Sequence, residues 1–338
     1  MKFCIVGAGA IGGFVGAKLA AAGEDVTFIA RWKNLDAIRT HGMIVNMHDG
    51  SVIEARRAKA TDSMSAVGHV DCVILALKAN QVESVVNQLE PLYGPKTTII
   101  TMQNGIPFWY FHQHGGALAG TRVQAVDPRG VCMDGIPAER IIGCVVYPAS
   151  ELIAPGVVRH IEGDRFPLGE LDGSISNRVK DLSDIFAKSG LKAPVLDNIR
   201  NEIWLKLWGN LTFNPISALT HATLQDICEF PLGRELATNM MREAQAVAEK
   251  LGATFRVSLE KRIDGAAKVG KHKTSMLQDV EAGRAIEIDA LVGSVVELGV
   301  LTGVPTPTIS AIYQASKLLA HTMQSDKVAF RSFAMPQV

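Results

Sequence analysis

At 338 residues the chain is longer than one hydrophobic core usually supports, so two domains are expected. Its 47% apolar and 20% charged residues are those of a folded globular protein, which excludes disorder and low complexity. Thirty-four basic side chains balance thirty-four acidic ones, leaving no global field to attract nucleic acid or an anionic membrane.

The N-terminal MKFCIVGAGAIGG turns to glycine after six residues, unlike a cleavable leader. No stretch reaches the roughly 18 apolar residues of a membrane span, so a cytoplasmic protein is expected. KFCIVGAG reads as a strand running into glycines, and AIGGFVGAKLAAAG as a small-residue helix closed by Gly23. DVTFIA follows as a strand and WKNLDAIRTHG as a helix. DCVILALK and TTIITMQNG are buried strands with the helix QVESVVNQLEPLY between them. Strands alternating with helices predict a doubly wound parallel sheet.

Between residues 121 and 171, Gly and Pro separate VQAVDPRGVCM, RIIGCVVYPA, GVVRHIEG and DRFPLGEL, which predicts an antiparallel extension of that sheet. SNRVKDLSDIFAKSG is a helix, and from near residue 198 almost every segment has helical character. The expected fold class is α/β, with an N-terminal Rossmann-type dinucleotide-binding domain over residues 1–197 and a C-terminal all-α domain over residues 198–338. The five cysteines, Cys4, Cys72, Cys132, Cys144 and Cys228, are odd in number and none is closely spaced with another. They read as reduced core residues, not disulfides or metal ligands.

Gly7, Ala8, Gly9, Ala10, Ile11 and Gly12 form GAGAIG at a strand-to-helix turn. Glycine there lets the backbone approach a pyrophosphate, and the helix N-terminus favours its charge. Its place at the start of a βαβ unit makes dinucleotide binding the expectation, although a turn packed tightly for its own sake would also want small residues. NAD sites usually carry Asp or Glu at the end of the second strand, whereas this chain has Ala30 and Arg31. A guanidinium pairs with a 2′-phosphate, so NADP(H) is the expected cofactor; a solvated arginine opening the next helix is the plainer reading. Glu24 and Asp25 precede the strand. Further on, Lys206, Asn210 and Asn214 recur every four residues through the apolar WLKLWGNLTFNP, which places them on one helical face.

GAGAIGG at 7–13, LKAN at 77–80, QNG at 103–105, KLWGNLTFNP at 206–215 and SMLQDVEAGRAIEID at 275–289, in that order and spacing, resemble the ketopantoate reductases (2-dehydropantoate 2-reductases). These are NADPH enzymes of the vitamin B5 and coenzyme A pathway, and the resemblance spans most of the chain. It implies substrate bound in a cleft between a Rossmann and a helical domain, with Lys206 as the general acid that protonates the ketone oxygen as hydride arrives from the nicotinamide C4. An ammonium both stabilises the charge developing on oxygen and delivers a proton, and an ordinary lysine carries that proton at neutral pH. The resemblance also implies Asn104, Asn210, Asn214 and Ser275 as substrate contacts, and Lys78 and Asn104 as cofactor contacts. Glu287 would be an active-site carboxylate, orienting Lys206 or touching substrate or cofactor.

Each of these residues has a plainer reading too. Lys206 could snorkel to water, Asn214 could end or kink the helix before Pro215, and Lys78 could be a solvated strand end. Asn104-Gly105 could be a turn, Ser275 with Gln278 could form an S-x-x-Q capping box, and Glu287 could be a surface carboxylate or a partner of Arg284. Unbroken helix would hold Ser275 and Glu287 about 18 Å apart, too far for one small ligand, so a break is expected near Gly283. HQH at 112–114 lacks a third nearby ligand and reads as a solvated loop, and no metal is expected. The expected activity is NADPH-dependent reduction of 2-dehydropantoate to (R)-pantoate. The alternatives are an NAD(P)-dependent D-2-hydroxy acid dehydrogenase acting on another 2-oxo acid, and a non-catalytic NADP sensor. The expected partner is a small 2-oxo acid, and apolar patterns such as EIDALVGSVVELGVLTG allow a homodimer.

Overall fold

The computed structural model describes residues 1–333. Two compact units result: one of Met1–Asn104, Phe108–Arg122 and Arg129–Glu202, the other of Gly105–Pro107, Val123–Pro128 and the chain from Ile203 on.

The first unit begins β1 (Lys2–Val6), α1 (Ala10–Ala21), β2 (Asp25–Ile29) and α2 (Trp32–His41). The short strands β3 (Met43–Asn46), β4 (Val52–Ala55) and β5 (Lys59–Thr61) follow, then β6 (Val70–Leu75), α3 (Ala79–Val82) and β7 (Tyr93–Thr101). Its later elements are α4 (Val131–Gly135), β8 (Ile141–Cys144), β9 (Ala149–Ala154), β10 (Val157–Glu162), β11 (Leu168–Glu170) and α5 (Asn177–Lys188). A seven-stranded sheet has the order β11-β8-β7-β6-β1-β2-β5. All its pairings are parallel except β8 with β11. Val6 pairs with both Ile29 and Leu75, and Leu75 with Thr101, so β2, β1, β6 and β7 end level along one edge. The apolar runs that signalled these strands are buried on both faces, Phe3, Ile5, Phe28 and Ile74 being inaccessible on one and Cys4 and Val73 on the other. All five cysteines are free and buried, and burial pushes the Cys4 thiol up to about 12.

The antiparallel extension expected between residues 121 and 171 takes another form. β8 continues the parallel sheet, and only β11 joins it antiparallel. β9 and β10 leave it for a four-stranded sheet of order β4-β3-β10-β9, in which β10 runs parallel to β3. Small residues of α1 make room for this second layer. A methyl group at Gly13 would stand 2.8 Å from Val158 of β10 and 3.1 Å from Met43 of β3, and Phe14 stacks on His160 with ring centroids 4.5 Å apart. VQAVDPRGVCM is not a strand. Its first part is held in turns by the Glu297 carboxylate, which accepts the Gln124 and Ala125 N–H groups at 2.7 Å, and its end is α4, entered through Gly130 at φ +75°. QVESVVNQLEPLY forms α3 and 3-10 turns rather than one α-helix, with the β-branched Val85 and Val86 buried in the 3-10 portion.

The second unit is helical: α6 (Ile199–Thr220), whose first turn belongs to the first unit, α7 (Leu224–Glu229), α8 (Pro231–Lys250), α9 (Leu259–Lys268) and α10 (Ser275–Glu281). A π-helical turn (Asp289–Gly293), α11 (Ser294–Thr302) and α12 (Pro307–Asp326) complete it. Trp208 anchors α6, its indole N–H donating to the Met241 carbonyl at 2.8 Å while its ring packs on Phe255. No helix among the described residues is long and apolar enough to cross a membrane.

HQH at 112–114 lies in a loop that exposes Gln113 and the glycines after it, and that loop is anchored from within. Trp109, Tyr110 and Phe111 just before it are buried, and His112 and His114 are half-buried, with burial holding the His112 imidazole below its ordinary pKa. Arg200 in the first turn of α6 secures the segment by donating to the carbonyls of Tyr110 at 2.8 Å, Leu171 at 2.6 Å and His112 at 2.5 Å. Arg200→Ala strips the donor from three acceptors at once. It should destabilise the protein by about 3 kcal/mol, a fall of roughly 6–12 °C in Tm by calorimetry. A change under 1 °C would show that the clamp contributes nothing.

Candidate active site

Four functional candidates of the first unit follow neighbouring strand ends on one edge: the glycine loop after β1, Arg31 after β2, Lys78 after β6 and Asn104 after β7. This is the carboxyl edge, where the order reverses around β1 and where open α/β sheets bind ligands. Gly7 sits at φ +107°, and a methyl group there would stand 2.7 Å from the Ala76 carbonyl oxygen. At Gly12 it would collide with the Gly7 carbonyl. At Gly9 it would meet no atom within 4 Å, so the loop leaves an open cradle at the entry to α1. Gly9 caps that helix without a side-chain hydrogen bond, so no side chain competes for the amides of its first turn, which Ala10, Ile11 and Gly12 begin. An open cradle against helix amides fits a pyrophosphate. Gly12→Ala should therefore displace Gly7 and weaken dinucleotide binding by tenfold or more in a titration; unaltered affinity would mean the loop is not the phosphate site.

Two side chains unnoticed in the sequence brace this edge. Asn34 donates to the Ala8 carbonyl at 2.7 Å and accepts the Gly156 N–H at 2.7 Å, tying α2 to both the glycine loop and the β9–β10 turn. The Gln103 amide donates to the carbonyls of Leu75 at 2.7 Å and Leu77 at 3.2 Å, fastening the segment after β7 to the end of β6. Lys78, half-buried, precedes α3, where the Gln81 side chain accepts its N–H at 3.1 Å. Asn104 is half-buried and the next residue, Gly105, has φ +89°, so the Asn-Gly turn exists alongside any binding role. Arg31 is exposed and caps α2 in extended conformation. Glu24 is engaged by the N-terminal ammonium, and Asp25 by Lys59 at 2.8 Å, at the opposite end of β2.

In the second unit Lys206 and Asn210 are half-buried on α6 and Asn214 is buried, among the fully packed Leu207, Trp208 and Leu211. Asn214 does not end the helix: α6 continues through Pro215 to Thr220. Pro215 has no N–H for the Leu211 carbonyl, but burial of the residues on either side outweighs that loss. Ser275 does not form the capping box that was its plainer reading. Thr274 caps α10, accepting from Leu277 N–H at 3.3 Å, the Gln278 amide donates to the Lys273 carbonyl, and Ser275 is an exposed first-turn residue. The expected break occurs, with α10 ending at Glu281 and Gly283 turning at φ +65°. Arg284 pairs with Asp279 at 2.7 Å, and Glu287 lies half-buried in the irregular stretch before the π-helical turn. Among the described residues no group of three or more His, Cys, Asp or Glu could hold a metal ion.

The family profile "Ketopantoate reductase PanE/ApbA" matches residues 3–173, and "Ketopantoate reductase PanE/ApbA C terminal" matches residues 198–320. The 2-dehydropantoate 2-reductase of Mesorhizobium japonicum is 51% identical over 322 residues, covering 95% of this chain and 98% of that one. A crystal structure from Ralstonia solanacearum assigned to the ketopantoate reductases superposes with a TM-score of 0.90 at 41% identity, over 96% of this chain and 98% of the other. D-mandelate dehydrogenase, in a ternary structure with NADH and anilino(oxo)acetate, shares the fold at a TM-score of 0.82 and 23% identity, over 96% and 99% of the two chains. An α/β unit with a glycine loop at its carboxyl edge, a helical unit bearing the Lys-Asn-Asn stripe, and both family profiles together lead to one assignment: the chain belongs to the ketopantoate reductase family, a family of dinucleotide-dependent oxidoreductases.

Proposed function

We propose that this protein catalyses NADPH-dependent reduction of 2-dehydropantoate to (R)-pantoate. The observation that carries the reading is the half-buried Lys206, in line with Asn210 and Asn214 on an otherwise apolar helix, in a chain 51% identical to a 2-dehydropantoate 2-reductase. The bound dinucleotide supplies the hydride. As the carbonyl carbon accepts it, the C=O π pair moves onto oxygen, and the Lys206 ammonium donates the proton that makes the hydroxyl, to be reprotonated from solvent. Asn104, Asn210, Asn214 and Ser275 hold the 2-oxo acid, and Glu287 orients Lys206 or contacts substrate and cofactor. Gly7 to Gly12 and Lys78 bind the dinucleotide, and Arg31, preceded at the end of β2 by Ala30 where NAD sites carry an acidic residue, favours the 2′-phosphate of NADP(H).

Steady-state assays with NADPH and a panel of 2-oxo acids test the substrate. We expect kcat/KM for 2-dehydropantoate to exceed that of unbranched and aromatic 2-oxo acids by roughly tenfold or more, the discrimination a shaped apolar pocket can supply. Equal or better use of another 2-oxo acid would reassign the enzyme to that substrate.

A further inference from the structure

We propose that Trp32 provides the face on which the adenine of the dinucleotide stacks, next to Arg31; this rests on the nucleotide-binding reading above. Of the chain's four tryptophans, Trp109, Trp204 and Trp208 are at most 1% exposed, whereas Trp32 is 82% exposed. It is also one of four non-glycine residues at positive φ among the described residues, at +52°, a region that a bulky side chain rarely occupies. An exposed indole makes no packing demand that would impose this conformation. Backbone kept in a sparsely populated region with its side chain in solvent points to a use for that side chain outside the folded core.

The surroundings name the use. Asn34, two residues on, is hydrogen-bonded to the Ala8 carbonyl of the glycine loop and to the Gly156 N–H, both at 2.7 Å, and the Leu35 N–H donates to the Arg31 carbonyl at 3.3 Å. The turn carrying Trp32 is thus fixed to the loop that receives the pyrophosphate. In a dinucleotide one ribose separates the pyrophosphate from the adenine. With the pyrophosphate at Gly9 and the 2′-position read by Arg31 after β2, the base lies beyond the ribose, at the residue that follows Arg31. A rigid aromatic plane with a cationic neighbour suits a purine, because every base has a π-face to stack.

The test is calorimetric titration of the full chain with adenosine 2′,5′-bisphosphate and with 5′-AMP, which share the base and 5′-phosphate and differ only in the 2′-phosphate. Trp32→Ala should weaken both by the same factor, roughly 5- to 100-fold, with Trp32→Phe recovering most of the loss. Trp32→Gly adopts the left-handed backbone without strain, so its fold is secure, and it should bind as weakly as the alanine variant with its Tm maintained or raised. Bound bisphosphate should also shield wild-type emission from acrylamide, since Trp32 alone among the tryptophans is exposed. Alanine and glycine variants that bind both nucleotides within twofold of wild type would overturn the proposal. Wild-type protein that binds the bisphosphate yet reduces no 2-oxo acid would overturn the reductase reading alone, and wild type that binds neither nucleotide would overturn both.

Discussion

Lys206→Ala is expected to lower kcat by roughly 10²–10⁴-fold while the Kd for NADPH changes less than about threefold, the range that a positioned general acid supplies. The split matters more than the size of the loss. A lysine that only shields the apolar α6 surface would, when truncated, lower stability and leave turnover per folded molecule intact. A lysine that delivers the proton loses transition-state stabilisation, so kcat and kcat/KM fall together. Lys206→Arg keeps the charge but has a far higher pKa, so it should recover only a small part of the rate. Single-turnover measurement of NADPH oxidation at saturating 2-oxo acid reads the step directly. A kcat within threefold of wild type in the alanine variant would end Lys206's assignment as the acid.

Arg31→Asp should weaken NADPH by about 100-fold and leave NADH within about threefold. On the NADP(H) reading proposed above, the substitution removes a charge-assisted hydrogen bond to the 2′-phosphate and places a carboxylate where that phosphate would sit; the same carboxylate can accept the free 2′-hydroxyl of NADH. Because Arg31 is exposed, part of the effect is screened, and the ratio of the two affinities should narrow at high salt. Equal losses for the two nucleotides would mean that Arg31 does not read the phosphate.

The parallel sheet was legible because its strands are continuous apolar runs, KFCIV, DVTFI and VDCVIL, joined by helices of ordinary length. The second sheet was not. Ile44 pairs with Val157, and no local pattern announces a partner so far along the chain. The break at Gly283 was legible from one glycine between two candidate ligand groups held too far apart by a continuous helix, whereas the cap of α10 fell one residue early, at Thr274, because adjacent hydroxyls satisfy the same rule. Pro215 offered a helix end as the plainer reading of Asn214, and that end does not occur, since the bias of a residue before proline yields where packing holds the helix on both sides. The stripe of Lys206, Asn210 and Asn214 is a property of spacing and needed no tertiary information. Asn34 carried no signal and Gln103 only as part of QNG, because an amide side chain that bonds distant backbone groups looks like any surface amide until the chain is folded.

The pairing of β3 with β10 has a consequence for biosynthesis. Met43–Asn46 leaves the ribosome long before Val157–Arg159 exists, so during that interval β3 exposes one unsatisfied backbone edge beside its β4 hairpin partner. The first unit therefore cannot mature in step with translation of its glycine loop. It must wait for a late-made segment to close the layer over α1, which makes a nascent chain stalled before that segment a natural client for chaperones.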